Sequence, residues 1–455
     1  MRDAAELVER IWERDPTVWT GHDEAHRLGW LDEPLRMRER VGELTRFAEG
    51  ARADFDTFVL LGMGGSSLAP EVFRRAFAAE RFHVLDTTHP AAVRRLAGSL
   101  DFARSLFVVA SKSGATLETR CQLEYFWHRS GKKGRRFAVV TDPGTELERL
   151  ARDRGFRAVF AGEPTIGGRY SALSVFGLLP AALMGIDLER LLGRAEETLE
   201  ACRVAEGNPG LELGLELGAG WREGRDKVVF PDRDGLGLWL EQLLAESTGK
   251  DGKGLVPAPG ESADGPDRQA ADVRVDDPYD LGRELFRWEF ATAVAGAILE
   301  VNPFDEPDVQ GAKDRTAEIL SSGHVPGPGP GTWLEGTVEC LLAQARAGDY
   351  VAIQAFVDPA REAELGPLVE RARETGCVVT CGLGPRYLHS TGQLHKGGPP
   401  TGLFLQVVDE TGEELPIPRR RLGFGGLIRA QAAGDYAALK ERGRPVARIR
   451  LEDVR

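Results

Sequence analysis

The fold class is decided by the stretch Leu106-Phe107-Val108-Val109-Ala110-Ser111-Lys112-Ser113-Gly114-Ala115-Thr116-Leu117-Glu118. Its apolar start predicts a buried strand, its centre is a loop of small and hydroxyl residues, and helical spacing begins at Leu117. A strand that ends in such a loop and continues as a helix presents free backbone N–H groups, and a helix N-terminus carries partial positive charge. Together with three hydroxyl groups and the ammonium of Lys112, the loop predicts a site for a phosphate dianion.

A second loop of the same character, Gly62-Met63-Gly64-Gly65-Ser66-Ser67, follows another apolar run. Such short apolar runs alternate with helical patterns, and they cover residues 58–61, 82–85, 106–109, 137–140 and 158–160. Runs that are almost continuously apolar are typical of strands buried on both faces of a parallel sheet. The pattern therefore predicts a doubly wound α/β domain, in which ligands bind beyond the carboxyl ends of the strands.

A second alternation of strands and helices follows in the rest of the chain. Apolar runs lie at residues 227–230, 350–357, 378–380 and 403–408, with a long helical pattern around 286–299. We therefore predict an α/β protein with two doubly wound, mainly parallel-sheet subdomains and helical extensions at both termini. The predicted divisions are an N-terminal helical segment (1–50), a first subdomain with the phosphate loop (51–205), a second subdomain with the catalytic base (206–420) and a helical tail (421–455). The Pro/Gly stretch 325–331 predicts a linker or a surface loop in preference to a substrate lid.

Composition indicates a soluble cytoplasmic protein. Of the 455 residues 42% are hydrophobic and 28% are charged, which is typical of a globular protein. The formal net charge of -13 argues against nucleic acid and against an anionic membrane as partners. The five cysteines form no Cys-x-x-Cys pair, so we expect neither a disulfide framework nor a metal site. The sequence shows neither a secretory signal nor an apolar run of membrane length.

A candidate general base lies in the helical pattern at residues 238–250. Gly249 predicts the end of this helix, which places Glu246 in the last turn and Gln242 four residues earlier on the same face. The negative end of the helix dipole disfavours the ionised carboxylate, which raises its pKa toward the working range of a general base. The spacing alone also fits a solvated surface glutamate.

Three further segments carry reactive side chains. Arg169 lies in a Gly-rich turn that opens an apolar helix, where it could stabilise an oxyanion or be a surface arginine. Lys313 falls in the first turns of a helix after a Pro-bounded turn. The Gly-rich loop at 384–398 contains His389 and His395, two of only eight histidines, and fits either an active-site loop or a polar surface loop.

These motifs together resemble the glucose-6-phosphate isomerase family, which has a two-subdomain sugar-isomerase fold. GMGGSSLAP, ASKSGATLET, GGRYSALSVFGL and LEQLLAESTGK occur in the family's order between residues 58 and 250. NPFDEPDVQGAK is similar to the family's last catalytic helix. The segment GPRYLHSTGQLHKGGPPTGLFLQV resembles the isomerase halves that are fused to transaldolase in some bacteria, which implies isomerase activity alone for this chain.

The resemblance implies reversible isomerisation of glucose 6-phosphate and fructose 6-phosphate without a cofactor or a metal. Glu246 would move a proton between C1 and C2, Arg169 would stabilise a cis-enediolate, and Lys313 would assist ring opening. The residues implied to bind or surround the substrate are Gly65, Ser66, Ser111, Lys112, Ser113, Thr116, Glu118 and Gln242. The family also implies a homodimer.

This sequence departs from the family at two positions. Family members usually carry a ring-opening histidine between the base and the final lysine, but here no histidine occurs between His128 and His324. The loop at 384–398 resembles the family's histidine loop, but it lies closer to the C-terminus than in the family. We expect His395 to open the ring, with His389 as the second candidate. Glu306 stands where a glutamine is usual, and its carboxylate would repel a substrate phosphate unless it is paired or protonated.

Two alternative functions fit the same motifs. A bifunctional phosphoglucose/phosphomannose isomerase would use the same residues with more space at C2. A non-catalytic sugar-phosphate sensor would keep the phosphate loop but would not need Glu246, Arg169 or Lys313. The acidic charge and the lack of a basic recognition segment argue against a sensor that also binds DNA.

Overall fold

The computed structural model describes residues 4–322, 335–409 and 414–454, so the Pro/Gly stretch 325–331 lies outside the described residues. The described chain is an α/β structure in which every named strand pairs with its neighbours in parallel. Within these residues no helix is both long enough and apolar enough to cross a membrane. The predicted fold class is confirmed.

The twelve strands of the described chain are β1 (Thr57–Leu61), β2 (Phe82–Leu85), β3 (Ser105–Ala110), β4 (Phe137–Thr141), β5 (Ala158–Ala161), β6 (Lys227–Phe230), β7 (Val256–Pro259), β8 (Arg268–Ala270), β9 (Tyr350–Phe356), β10 (Val378–Leu383), β11 (Gly402–Val408) and β12 (Val446–Arg450). Its sixteen helices are α1 (Ala4–Trp12), α2 (Glu33–Asp54), α3 (Leu68–Ala76), α4 (Pro90–Ser99), α5 (Leu117–Arg129), α6 (Glu146–Asp153), α7 (Val175–Met184), α8 (Leu188–Ala201), α9 (Pro209–Arg222), α10 (Leu236–Thr248), α11 (Asp280–Leu299), α12 (Gln310–Ser322), α13 (Val338–Leu342), α14 (Gly366–Arg373), α15 (Gly392–Gly397) and α16 (Phe424–Glu441).

The first sheet contains the five strands predicted from the apolar runs, in the order β2-β1-β3-β4-β5. Its central strand β3 is buried along its whole length, as expected for a strand that is covered by helices on both faces. Because all five strands are parallel, the loops that follow β1 and β3 leave the sheet at the same edge. This edge therefore holds both predicted phosphate-binding loops.

The second region of the chain forms two parallel sheets, with the orders β7-β6-β8 and β10-β9-β11-β12. Their side chains share one buried apolar cluster, which includes Val256, Val378 and Phe404. The sequence did not indicate β7 or β8. The two prolines of β7 are typical of an edge strand or a loop, and β8 is short and polar.

The C-terminal tail differs from the prediction for residues 421–455. It begins as helix α16, but β12 follows and pairs in parallel with β11 at the edge of the sheet. Ala447 and Ile449 are buried there, and the buried Arg448 donates from Nε to Gln406 Oε1 at 2.6 Å. The predicted helix is confirmed over α16, but the strand β12 after it was not predicted, because a five-residue strand with two arginines carries little apolar signal.

Two glycines allow the loops above the first sheet to approach each other closely. A Cβ atom on Gly65 would lie 2.1 Å from the carbonyl oxygen of Gly168, so a side chain there cannot be accommodated without moving one of the loops. Gly64 has a φ of 56°, and a Cβ atom there would lie 2.8 Å from the Cβ of His389. These contacts bring the loop after β1 against two turns from distant parts of the chain.

Candidate active site

A pocket of about 330 Å³ lies where the loops after β1 and β3 meet α10, α12 and the 3-10 turns Gly168–Tyr170 and Arg386–His389. Ten of the residues predicted for the site line it, namely Gly65, Ser66, Lys112, Ser113, Thr116, Arg169, Gln242, Glu246, Lys313 and His389. Three predicted residues, Ser111, Glu118 and His395, do not line this pocket. The structure therefore brings together residues that are more than 300 positions apart in the sequence.

The phosphate loop precedes α5, and Thr116 is the N-cap residue of that helix. Ser113 is exposed toward the pocket, whereas Ser111 is buried and shares a hydrogen bond of 2.9 Å with the Thr116 hydroxyl. Ser111 therefore stabilises the loop through its hydrogen bond to Thr116 and does not line the pocket. Of the hydroxyl groups predicted to bind an anion in this loop, those of Ser113 and Thr116 belong to residues that line the pocket.

The ammonium of Lys112 is not free for a ligand, although the sequence suggested that it would be. Its Nζ donates to both carboxylate oxygens of Asp142 at 2.8 Å and to the Glu163 carbonyl oxygen at 2.6 Å. Burial lowers the pKa of Lys112, and the ion pair with Asp142 opposes this effect. Asp142 follows β4, the next strand of the sheet, so only the fold shows that it compensates the charge of Lys112.

Glu246 lies in the last turn of α10 with its carboxylate at the pocket. Its Oε2 accepts a hydrogen bond of 2.9 Å from Gln242 Nε2, which also donates to the His389 carbonyl oxygen at 2.8 Å. Only 13% of the Glu246 side chain is exposed. Burial raises the pKa of Glu246 above its ordinary value, although Arg169 opposes the shift, and the charge of Glu306 raises it further. This environment suits a general base and excludes the solvated surface glutamate.

Arg169 is fully buried, and its guanidinium is held in one orientation. Nε donates to Ser247 Oγ at 2.9 Å, and Nη2 donates to the carbonyl oxygens of Pro303 at 2.9 Å and Asp305 at 2.7 Å. Its Nη1 lies 3.4 Å from Glu246 Oε1. A fixed guanidinium next to the base is suited to stabilise an oxyanion that forms there.

Glu306 is a second carboxylate next to Arg169. Its Oε2 lies 3.3 Å from Arg169 Nη1, the same nitrogen that faces Glu246. Although 45% of the Glu306 side chain is exposed, its partial burial opposes ionisation, and the charges of Arg169, Lys313 and Lys250 outweigh this effect and lower its pKa. Glu306 is therefore an ionised carboxylate in the pocket, paired with Arg169.

His389, not His395, reaches the pocket. His389 Nε2 lies 2.9 Å from Glu118 Oε1, and this oxygen also accepts a hydrogen bond of 2.6 Å from Gln431 Nε2. Burial opposes ionisation of Glu118, but His389 outweighs it and lowers the pKa of Glu118. Glu118 does not line the pocket itself, but its carboxylate fixes the orientation of the His389 imidazole.

The preference for His395 is corrected by its position on α15. Its side chain is buried, its Nδ1 is 3.0 Å from Gln354 Nε2, and its ring packs against Tyr387 and Phe404. Burial lowers the pKa of His395 well below its ordinary value, and the neighbouring Lys396 adds to this shift. His395 is therefore a neutral core histidine.

Lys313 lies on the first turn of α12, as predicted, and its exposed side chain lines the pocket. Sequence reasoning missed Arg27, which lines the pocket from an N-terminal 3-10 turn, and Gln431, which holds Glu118 from α16. Neither residue lies in a motif with recognisable spacing. Their roles depend on where the fold places the two ends of the chain.

Comparisons with known proteins show what this chain is similar to. Residues 38–201 match the family described as phosphoglucose isomerase. This part of the chain is similar to the family. A glucose-6-phosphate isomerase of Gloeothece citriformis is 35% identical over 272 residues, which cover 55% of this chain and 50% of that protein. One from Carboxydothermus hydrogenoformans is 34% identical over 252 residues, which cover 50% of this chain and 54% of that protein.

Two solved structures share the fold. A hypothetical protein of Thermus thermophilus aligns with 99% of this chain and 84% of its own, with 24% identity and a TM-score of 0.51. A glucose-6-phosphate isomerase of Chlamydia trachomatis aligns with 70% of this chain and 79% of its own, with 22% identity and a TM-score of 0.54. The resemblance to the isomerase family is confirmed, and the chain spans about half the length of the curated relatives it matches.

Proposed function

We propose that this protein interconverts glucose 6-phosphate and fructose 6-phosphate through a cis-enediolate. The observation that carries the proposal is the pair of Glu246 and Arg169, whose carboxylate and guanidinium are 3.4 Å apart. This pair lines the same pocket as a phosphate-binding loop, Lys313 and His389. A base, an oxyanion partner, an anion anchor and a second proton-transfer group are what aldose–ketose isomerisation requires.

The phosphate group of the substrate would bind at the start of α5. There Ser113 and Thr116 line the pocket, and the start of the helix offers backbone N–H groups that lack partners within the helix. Ser66, from the loop after β1, lines the same pocket. Anchoring the phosphate fixes the distance from the sugar carbons to Glu246, so that binding energy at one end orients the reacting end.

Ring opening moves a proton from the O1 hydroxyl and delivers one to the ring oxygen. His389 would carry out this transfer, because Glu118 holds its Nε2 and leaves Nδ1 as the nitrogen that can meet the sugar. Glu118 also stabilises the protonated imidazole that forms during the transfer. Lys313, which lines the same pocket, would support the transfer as a second cation.

Isomerisation of the open chain would begin when Glu246 removes the C2 proton. Electrons move toward the carbonyl oxygen, and Arg169 stabilises the resulting enediolate. Glu246 then returns the proton to C1, while the O2 proton leaves and O1 is protonated. The raised pKa of Glu246 favours this exchange, because the carboxyl must both accept and release the proton.

A coupled assay of fructose 6-phosphate conversion to glucose 6-phosphate tests the function. Glu246→Gln should lower kcat by at least ~100-fold while substrate binding stays within about threefold. Glu241→Gln on the same helix is the matched control. Burial raises the pKa of Glu241 to about 8, so glutamine mimics the neutral side chain present at pH 7. No conversion by the wild-type protein would overturn the function, and near-normal turnover of Glu246→Gln would overturn the assignment of the base.

We also propose that the protein is a cytoplasmic homodimer whose two sugar-isomerase subdomains cover residues 51–205 and 206–420. The family resemblance supports the dimer, and the five free cysteines are consistent with a reducing compartment. Light scattering should give twice the chain mass of 49.6 kDa. A mass that stays at one chain across the concentration range would contradict the dimer.

A further inference from the structure

The reacting end of the pocket contains two carboxylates that share one guanidinium nitrogen. Arg169 Nη1 lies 3.4 Å from Glu246 Oε1 and 3.3 Å from Glu306 Oε2. The other donors of Arg169 are engaged by Ser247 and by the carbonyl oxygens of Pro303 and Asp305. Nη1 is therefore the part of the guanidinium that faces both carboxylates, and a ligand oxygen must share it with them.

The other charges near this end do not replace Arg169. Lys250 faces both carboxylates from the end of α10, but its ammonium donates to Asp305 Oδ1 at 2.6 Å and to the Asn302 carbonyl oxygen. Burial lowers the pKa of Lys250 to about 8, so its charge is weakened above that pH. Lys313 faces Glu306 from α12 and is exposed to solvent. With both carboxylates ionised, the group formed by Glu246, Arg169 and Glu306 carries a net negative charge.

We propose that Glu306 is a specificity-determining residue, which admits sugar phosphates with a neutral reacting end and disfavours those with a carboxylate there. This inference rests on the proposed function, because it assumes that the sugar carbons C1 and C2 lie beside Glu246 and Arg169. A ligand carboxylate at this position competes with Glu306 for Arg169 Nη1. It also adds a full negative charge next to Glu246 and Glu306.

The reaction itself avoids this repulsion because it conserves charge. When Glu246 takes the C2 proton, the carboxylate becomes neutral as the enediolate becomes negative. The negative charge thus moves between neighbouring groups, and Arg169 faces one anion at Glu306 and one at the reacting centre throughout. A bound sugar acid differs, since it brings its own charge while Glu246 is still ionised. Glu306 can therefore discriminate against sugar acids without blocking the enediolate.

The test compares two phosphorylated ligands that differ in charge at C1. Calorimetry would measure the binding of 6-phosphogluconate, which has a carboxylate there, and of sorbitol 6-phosphate, which has a neutral hydroxyl group. Glu306→Gln should tighten 6-phosphogluconate binding by about tenfold or more at pH 8, because one full negative charge is removed from its surroundings. Binding of sorbitol 6-phosphate should change by less than about threefold.

The matched control is Glu318→Gln, which removes a charge from α12 where the carboxylate is 68% exposed and paired with Arg315. It should leave both affinities unchanged. An equal change for both ligands in Glu306→Gln, or no change for either, would overturn the inference. Because the readout is binding, it is separate from turnover. A wild-type protein that fails to isomerise fructose 6-phosphate would refute the proposed function, whereas an active wild type with no selective effect of Glu306→Gln would refute only the role of Glu306.

Discussion

Gly65→Ala should disrupt the site without removing any catalytic group. Gly65 lies in the 3-10 turn Gly64–Ser66 after β1, directly against the turn that carries Arg169. The added Cβ atom would lie 2.1 Å from the Gly168 carbonyl oxygen and 2.3 Å from its carbonyl carbon. Both of these neighbours are backbone atoms, so no side-chain rotation can relieve the clash.

The size of the effect follows from the displacement. Ordinary contact between such atoms needs about 3.5 Å, so the two turns must separate by more than about 1 Å. That separation moves Arg169 relative to Ser66 and to the phosphate loop. A misplacement of about 1 Å in an active site can cost about 100-fold in rate, so we expect kcat/KM to fall by about that factor.

The assay is steady-state isomerisation of fructose 6-phosphate, accompanied by thermal unfolding of the variant. Gly98→Ala is the matched control, because Gly98 is exposed on α4 and an added Cβ atom meets nothing within 4 Å. It should keep wild-type activity and should not lower the stability. If Gly65→Ala is folded and its kcat/KM stays within about threefold of the wild type, the close approach of the two turns is not needed to assemble the site.

Three further predictions concern single side chains. His389→Ala should slow turnover of the cyclic sugar phosphate by about 100-fold, whereas His395→Gln should keep the wild-type rate per folded molecule. A large loss of turnover in His395→Gln and none in His389→Ala would restore His395 as the ring-opening residue. Arg169→Lys should lower kcat by about 100-fold, since one ammonium cannot keep the hydrogen bonds of Nε and Nη2 and also place a donor next to Glu246. A kcat close to that of the wild type would show that Arg169 does not stabilise the intermediate. Glu289 is buried with no hydrogen bond to its Oε1, and burial raises its pKa well above the ordinary value. The folded protein therefore keeps a proton on Glu289 that the unfolded chain releases above about pH 4.3. Glu289 should therefore lower the free energy of unfolding as the pH rises above that value. Glu289→Gln should make the fall between pH 5 and pH 7, measured by urea titration, smaller than in the wild type. An equal fall in both proteins would contradict it.

The three central strands of the first sheet, β1, β3 and β4, could be predicted because they are almost wholly buried and leave apolar runs in the sequence. The same reasoning failed for β7, β8 and β12, which lie at sheet edges and carry proline or polar residues. At an edge, one side of the strand lacks a partner, and the local sequence is less constrained. Edge position alone does not hide a strand, because the edge strands β2, β5 and β10 were predicted; β7, β8 and β12 were missed because they also carry proline or polar residues.

Most residues of the site could be predicted from the sequence, but the residues that they contact could not. His389 and His395 lie six residues apart in one loop, and only the direction of each side chain separates them. That direction depends on Glu118 and Gly64, which are more than 250 residues away in the sequence. Lys112 is a similar case, since its charge looks available until Asp142 from the neighbouring strand is placed beside it. Local patterns identify reactive residues, but their partners come from the tertiary fold.

The central claim is that Glu246 moves a proton between C1 and C2, and solvent deuterium exchange tests it most directly. Glucose 6-phosphate incubated with the protein in D2O should gain deuterium at C2, observed by NMR, because the proton on Glu246 exchanges with solvent during the lifetime of the enediolate. Glu246→Gln should show at least ~100-fold slower incorporation, whereas Glu241→Gln should match the wild type. Isomerisation with equal deuterium incorporation in wild type and Glu246→Gln would contradict the assignment of Glu246 as the base.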